Sequence, residues 1–272
     1  LITIDEDPDF AYSSYTFCEN GTNPSPSSFT PLGGTFSAAS GLMFYDTGTN
    51  TGSSTGEIDL ANSTAGSYVI TYTSPTCSNT KVRSIIIDPA PAVDAGADLD
   101  VCDDGSQITL TATGASSYVW YSSLDPNFND PNIIDNGVPF SWGWVGNTYT
   151  FVVVGTGTNG CTATDEVTVT LFDQPNANAG VNQSNICVGT PVTMAGSVTG
   201  AVGTTNWTTN GDGSFDDASS LTAIYSPGPT DNLAGAPVTL TLQANPLSPC
   251  TVADSDNMTI TFTTSFSNNS VA

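Results

Sequence analysis

Histidine is absent from this chain of 272 residues, and Lys81 and Arg83 are its only basic side chains. Without an imidazole, Ser-His-Asp and Cys-His relays cannot be assembled, and one lysine gives Schiff-base chemistry little footing. Paired carboxylates remain open in principle, as in glycoside hydrolysis. With 26 acidic residues, however, close pairs arise by chance, and small β-sandwiches offer no deep cleft, so no enzymatic activity is expected. The two cations leave a net charge of −24. Nucleic acid phosphate and anionic lipid are repelled by such a chain, which excludes both as partners. An apolar run of about 18 residues is also missing, so no segment inserts into a membrane. So is apolar recurrence at the helical period.

A period is present instead. "RSIIIDPAPAVDAG" at 83–96 and "VTLFDQPNANAG" at 169–180 share one plan: an apolar run ending at Asp, a proline, then small residues closing on Ala-Gly. "LITIDEDPDF" opens the chain as a weaker copy. Asp5, Asp88 and Asp173 follow one another at a nearly constant spacing of about 85 residues, which marks tandem repeats joined by short proline hinges. The divisions expected are 1–88, 89–173 and 174–264, with 265–272 a linker into a following repeat. Leu1 falls inside what reads as a terminal strand, no signal peptide is visible, and "TFTTSFSNNSVA" runs past the last strand without a cap. A processed piece of a longer secreted chain is the expectation.

Within each repeat, turn residues recur every few positions and apolar residues alternate. Tyr68, Ile70 and Tyr72 share a face in the first repeat; "YVWY" at 118–121 and "YTFVVV" at 149–154 belong to the second; Val238, Leu240, Leu242 and Met258, Ile260, Phe262 belong to the third. The fold class predicted is all-β: three tandem Ig-like, PKD-like antiparallel sandwiches, with Trp120 and Trp207 packed on a central strand and no such tryptophan in the first. Six cysteines fall two to a repeat, the members of each pair about 60 residues apart. Each repeat therefore carries its own pair at matching positions, which predicts Cys18–Cys77, Cys102–Cys161 and Cys187–Cys250. Two ligands per repeat and no histidine cannot complete a zinc shell. Disulfides place the chain in an oxidising compartment, outside the cell. At about −8 per repeat, neighbouring repeats should repel at low salt and hold an array open.

"VDAGADLDVCDDGSQITLTATGASSYVWY" and "PNANAGVNQSNICVGTPVTMAGSVTG", the latter followed by "NWTTNGDGSFDDASS", resemble the PKD-like and Ig-like repeats of giant surface adhesins in Bacteroidetes. "FCENGTNPSPSSFTPLGGTFSAASGL" is similar to a further subtype of the same repeats. The resemblance covers residues 9–262. It implies a stalk-like, type IX-secreted cell-surface protein linked to gliding motility, attachment or biofilm. Its partners would be the adjacent repeats, other copies in a filament, or a surface glycan or protein.

Two constellations could do more than hold the fold. "DPNFND" places Asp125, Asn127 and Asn129 at alternate positions with Asp130 adjacent, the rhythm of a calcium loop without its glycine or its bidentate glutamate. "DGSFDD" repeats the rhythm at Asp212, Ser214 and Asp216, and solvated Asx turns explain either stretch as well. Calcium is the only cofactor the sequence suggests. If "FSWGW" is extended, Phe140, Trp142 and Trp144 face one way. With Trp120, Tyr121, Tyr149 and Phe151 already filling that repeat, at least one of the three should lie outside its core, against a neighbouring repeat, another chain or a sugar ring. The expected function is an extended structural stalk of an adhesin or surface filament. The alternatives are a glycan- or protein-binding module, or a non-catalytic accessory segment of a secreted hydrolase.

Overall fold

The computed structural model of the chain describes residues 7–122, 134–140, 148–233 and 237–263. Its first seven strands are β1 (Asp9–Ala11), β2 (Thr16–Cys18), β3 (Ser28–Thr30), β4 (Thr35–Ala38), β5 (Thr51–Ser53), β6 (Gly66–Thr73) and β7 (Thr80–Asp88). The next four are β8 (Leu99–Asp103), β9 (Ser117–Ser122), β10 (Thr148–Thr156) and β11 (Thr162–Asp173). The rest are β12 (Asn176–Asn178), β13 (Gln183–Cys187), β14 (Val192–Thr193), β15 (Ser197–Thr199), β16 (Val202–Thr209), β17 (Ser214–Phe215), β18 (Ile224–Ser226), β19 (Pro237–Pro246) and β20 (Asp254–Thr263). One 3-10 turn, Leu60–Asn62, is the only helical element among the described residues. The fold is all-β, and alternation is its cause: Val238, Leu240, Leu242 and Ala244 point inward along β19 while the residues between them face out. Close contacts gather the chain into two compact units, Leu1–Gly96 with Leu110–Val138 and Phe151–Glu166, and Ala97–Thr109 with Pro139–Thr150 and Val167–Ala272.

In the first unit the order β2-β7-β6-β4-β5 makes a five-stranded sheet, with β1 and β3 paired separately. Its core is a nest of rings, in which Phe10, Phe36 and Tyr72 are all buried and Phe36 packs on Tyr72 at 4.7 Å. β9 pairs antiparallel with β10, and Trp120 is buried there, opposite Val153. The chain's only cations, Lys81 and Arg83, continue the inward row of Ile85 and Ile87 on β7, where the core runs out. Both reach Asp9, Arg83 at 2.8 Å and Lys81 at 3.8 Å.

In the second unit β13-β20-β19-β16 forms one sheet and β14-β18-β17 another, with the short pair β12-β15 completing the sandwich. Between them lie Met194, Trp207, Tyr225, Leu240, Leu242, Ile260 and Phe262, all buried. The indole N–H of Trp207 donates to the Ser220 carbonyl at 3.1 Å, so burial costs that polar atom nothing. β8 pairs in parallel with β11, from Leu99 opposite Val169 to Asp103 opposite Asp173.

The cysteine pairing departs from the expectation. Cys18 is bonded to Cys161 and Cys102 to Cys250, with Cα separations of 5.6 and 4.8 Å. Cys77 and Cys187 stand exposed, and the predicted pairs Cys18–Cys77, Cys102–Cys161 and Cys187–Cys250 do not form. Strand geometry gives the reason. The strands that carry the earlier cysteines, β2, β8 and β13, run parallel to β7, β11 and β20, so each cysteine lies by its partner strand's final residues: Cys18 opposite Asp88, Cys102 opposite Phe172, Cys187 opposite Thr263. The second cysteine precedes the same strand. At about 3.3 Å per residue β7 alone spans about 26 Å, and β11 and β20 about 30 Å or more, which keeps the two apart. A disulfide needs Cα atoms within roughly 7 Å. Each bridge therefore joins the earlier cysteine of one expected repeat to the later cysteine of the expected repeat that follows.

Candidate functional site

The candidate arrangement is the pair of bridged joints. At the first, β2 continues onto the end of β7 through the Glu19 N–H, which donates to the Asp88 carbonyl at 3.0 Å. The Glu19 carboxylate then accepts from the Ala90 N–H at 3.0 Å, fixing the hinge that follows. Asn20 donates to the Thr162 carbonyl at 2.6 Å, beside the bridge. Asn159 donates to the Pro89 carbonyl at 2.9 Å and accepts from the Cys161 N–H at 3.1 Å. Cys161 is 1% exposed. At the second joint Cys250 is likewise buried, and Gln174 donates to the Asp103 carbonyl at 3.2 Å.

The hinges ending at Gly96 and Gly180 share three of their hydrogen bonds, and the second adds one from Ala177 to Asp254. Asp94 accepts from Gly96, and Asn178 from Gly180, each at 2.8 Å. Asp165 accepts from the Ala95 N–H, while Asp254 and Asp256 accept from Ala177 and Ala179. Asp98 and Asn182 accept from Thr168 and Thr259 in the following last strand. Each hinge presses on a "TGA" turn. A Cβ on Gly114 (φ +87°) would lie 1.7 Å from the Ala92 carbonyl oxygen, and one on Gly200 (φ +81°) 2.0 Å from that of Gln174. Only glycine fits. The joint residues Glu19, Asn20 and Asn159 carried no signal of their own, but the repeated "TGA" and the shared Ala-Gly hinge are visible in the sequence.

The acidic stretches divide. Asp125, Asn127, Asn129 and Asp130 lie outside the described residues. "DGSFDD" is described, and its carboxylates serve turns. Asp212 accepts from the N–H groups of Thr230 and Asp231. The Thr230 amide chiefly holds its carboxyl below the ordinary value. Asp216 accepts from Ile224 at 2.7 Å and Asp217 from Ser219 at 3.0 Å. Asp231, 3% exposed, accepts from the Tyr225 hydroxyl at 2.5 Å, Gly228 at 3.0 Å and Asp212 at 3.1 Å. Burial, and then the hydrogen bond to Asp231, push the Tyr225 hydroxyl up to about 12. Among the described residues no three acids or cysteines converge as a metal site would require.

Of the aromatic stripe, Phe140 is half-buried and exchanges backbone hydrogen bonds with Ile108 at 2.9 and 3.0 Å. Trp142 and Trp144 lie outside the described residues. Trp120 and Trp207 are interior, as expected. Their counterpart in the first repeat is Phe36. It sits on β4, which pairs with β6 as β16 pairs with β19.

No protein family and no curated protein matches the sequence. Among solved structures, a three-Ig segment of titin is similar at 12% identity and a TM-score of 0.42, covering 94% of this chain and 98% of that one. Protocadherin gamma B7 extracellular cadherin domains 1-4 are similar at 11% identity and a TM-score of 0.38, covering 94% and 76%. Drosophila N-cadherin EC1-4 follows at 9% identity and 0.40, also covering 94% and 76%. Likenesses this distant carry no functional weight.

Proposed function

We propose that the chain is part of the stalk of an extracellular adhesin or surface filament: three tandem repeats, of the kind found in giant Bacteroidetes surface proteins, that hold a binding element away from the cell for attachment or gliding. The observation that carries this reading is the offset bridging, in which two successive joints are sealed in the same way. Bracing joints serves a spacer, and such bridges persist in an oxidising compartment. Among the described residues no helix is long and apolar enough to cross a membrane. In a longer array the same offset would hand Cys187, exposed at the register of Cys18 and Cys102, to the second cysteine of a following repeat.

One observation favours a binding role instead. The outer face of β6 and β7 presents Val69, Val82 and Ile86, 50%, 54% and 44% exposed, with Ser67, Thr71 and Ser84 between them and no charge. The two roles separate on the producing cell. Replacing the segment with an unrelated rigid spacer of equal length should preserve attachment if it is a stalk. Loss of attachment with the spacer in place would make it a binder.

A further inference from the structure

The offset bridges have a mechanical consequence that ordinary tandem arrays lack. Cys18 bonded to Cys161 forms one covalent node, and Cys102 bonded to Cys250 forms another. Three stretches of chain connect these two nodes: 18–102, 102–161 and 161–250, of which 102–161 is the shortest and 161–250 the longest. Each holds most of one repeat. The first carries β3 to β7, the second β9 and β10, and the third the strands from β11 to β19.

We propose that the bridges load the three repeats in parallel rather than in series, and set a covalent limit on how far the chain can be drawn out. The topology is the chain's own; its use as a tension limiter rests on the stalk reading above. In a plain tandem array every repeat carries the whole force, and the weakest opens first. Here a pull applied before Cys18 and after Cys250 arrives at the two nodes and divides over three arms. No arm can open further than the shortest allows. Between Cys18 and Cys250 the limit is therefore the arm 102–161 instead of the whole stretch 18–250. At about 3.4 Å per extended residue these are about 200 Å and about 800 Å.

The sulfur atoms are placed to survive under load. Cys161 is 1% and Cys250 4% exposed, while Cys18 and Cys102 are half-buried. An attacking thiolate must reach a bridge sulfur, and the folded joints restrict that approach.

Single-molecule stretching of the whole chain, held by enzymatically attached handles at its two ends, tests the proposal. Full unfolding without reductant should release the chain between the bridged cysteines only up to the length of the arm 102–161. Dithiothreitol admitted to the unfolded chain should add about 600 Å of contour, the difference between that arm and the whole stretch at the same rise. The variant C102S should make the arm 161–250 the new limit, a gain of about 100 Å, and should lower the force of the first event because load sharing is lost. C187S should change nothing, whereas under pairing within each repeat it would free the loop 187–250 and add about 200 Å. Contour length is read on unfolded chains, so a variant that folds poorly still reports. Equal lengths with and without reductant, an unchanged limit in C102S, or a longer one in C187S each overturn the proposal. Failure of attachment in the spacer exchange would refute the stalk role and leave this measurement untouched.

Discussion

The core around Phe36, in the first unit, is packed with rings; that around Trp207, in the second, mixes aliphatic side chains with Tyr225 and Phe262. In the first, Phe10 meets Phe36 edge-on at 5.4 Å, Phe29 meets both Phe36 and Tyr72, and Tyr12 packs against Phe17. In the second, Trp207 stacks on Phe215 at 6.0 Å and Phe215 lies 5.0 Å from Tyr225, while Met, Leu, Ile, Val and Ala side chains fill most of the rest. Both nevertheless place the strand bearing the earlier cysteine, β2 or β13, parallel to their last, and the strand bearing Phe36 or Trp207 on the strand before the last. Core identity is therefore interchangeable so long as volume and alternation are kept. The hinges ending at Gly96 and Gly180 share most of their chemistry, because in both a side-chain oxygen takes each turn N–H and a positive-φ glycine leaves no room for a Cβ.

The largest test of that contrast is Trp207→Ala. Loss of a buried tryptophan should cost about 3–5 kcal/mol and speed hydrogen exchange at Leu240, Leu242 and Ile260. Exchange at Ile70 and Ile85 in the first repeat should stay as it was. Equal acceleration in both would show one cooperative core rather than two. Next come the hinge glycines: Gly114→Ala and Gly200→Ala should each lower the denaturant midpoint by the equivalent of about 1–3 kcal/mol, through strain at positive φ and collision with the hinge carbonyl. A large loss at one and none at the other would break the equivalence of the joints. Smaller still is Tyr72→Phe. The hydroxyl donates to the Pro31 carbonyl and accepts from the Gly34 N–H, so urea unfolding should show a loss of about 1 kcal/mol confined to the first repeat.

The gentlest test is acid. In the first repeat Asp9 sits below the ordinary carboxylate value. Desolvation alone would raise it, but the Phe10 amide, the Arg83 hydrogen bond and the two cations outweigh that. In the third repeat Asp212 is lowered first by Thr230, and Asp217 first by Ser219. A lowered folded pKa means that the folded state binds fewer protons. These groups contribute fully above the unfolded value of 3.8, and the contribution drains away as pH falls through the lower folded values. Melting curves from pH 6 to pH 2 should therefore fall in both repeats. Asp9→Asn should flatten the fall in the first alone. Tyr225 acts oppositely: its folded pKa is raised from 10.0 to about 12, so its contribution is intact below 10.0 and is lost as pH rises toward 12. An Asp231→Asn chain should lose part of that alkaline step.

Much of this could be read before any coordinate. Alternation at Tyr68, Ile70, Tyr72 and at Met258, Ile260, Phe262 located strands and their inward faces, because a strand has only two sides. The interior places of Trp120 and Trp207 followed from the same pattern. Phe36 was overlooked, since a phenylalanine among many gives no signal that a lone tryptophan would. The turn role of "DGSFDD" needed the fold, because whether a carboxylate meets a cation or an amide depends on which loop folds over it. Thr230 and Asp231 come from a loop that the sequence places no closer to Asp212 than many others.

The sequence by itself determined that there would be strands, tandem hinges and two cysteines to a repeat. Local period, glycine and proline govern these, and they act over a few residues. Only the tertiary structure decided which cysteine meets which. Equal spacing along the chain says that two positions are equivalent in successive repeats, not that they are near. Once β2 lies parallel to β7 and β8 to β11, the cysteines about 60 residues apart stand at opposite ends of one strand, and the partner sulfur comes from the next stretch of chain.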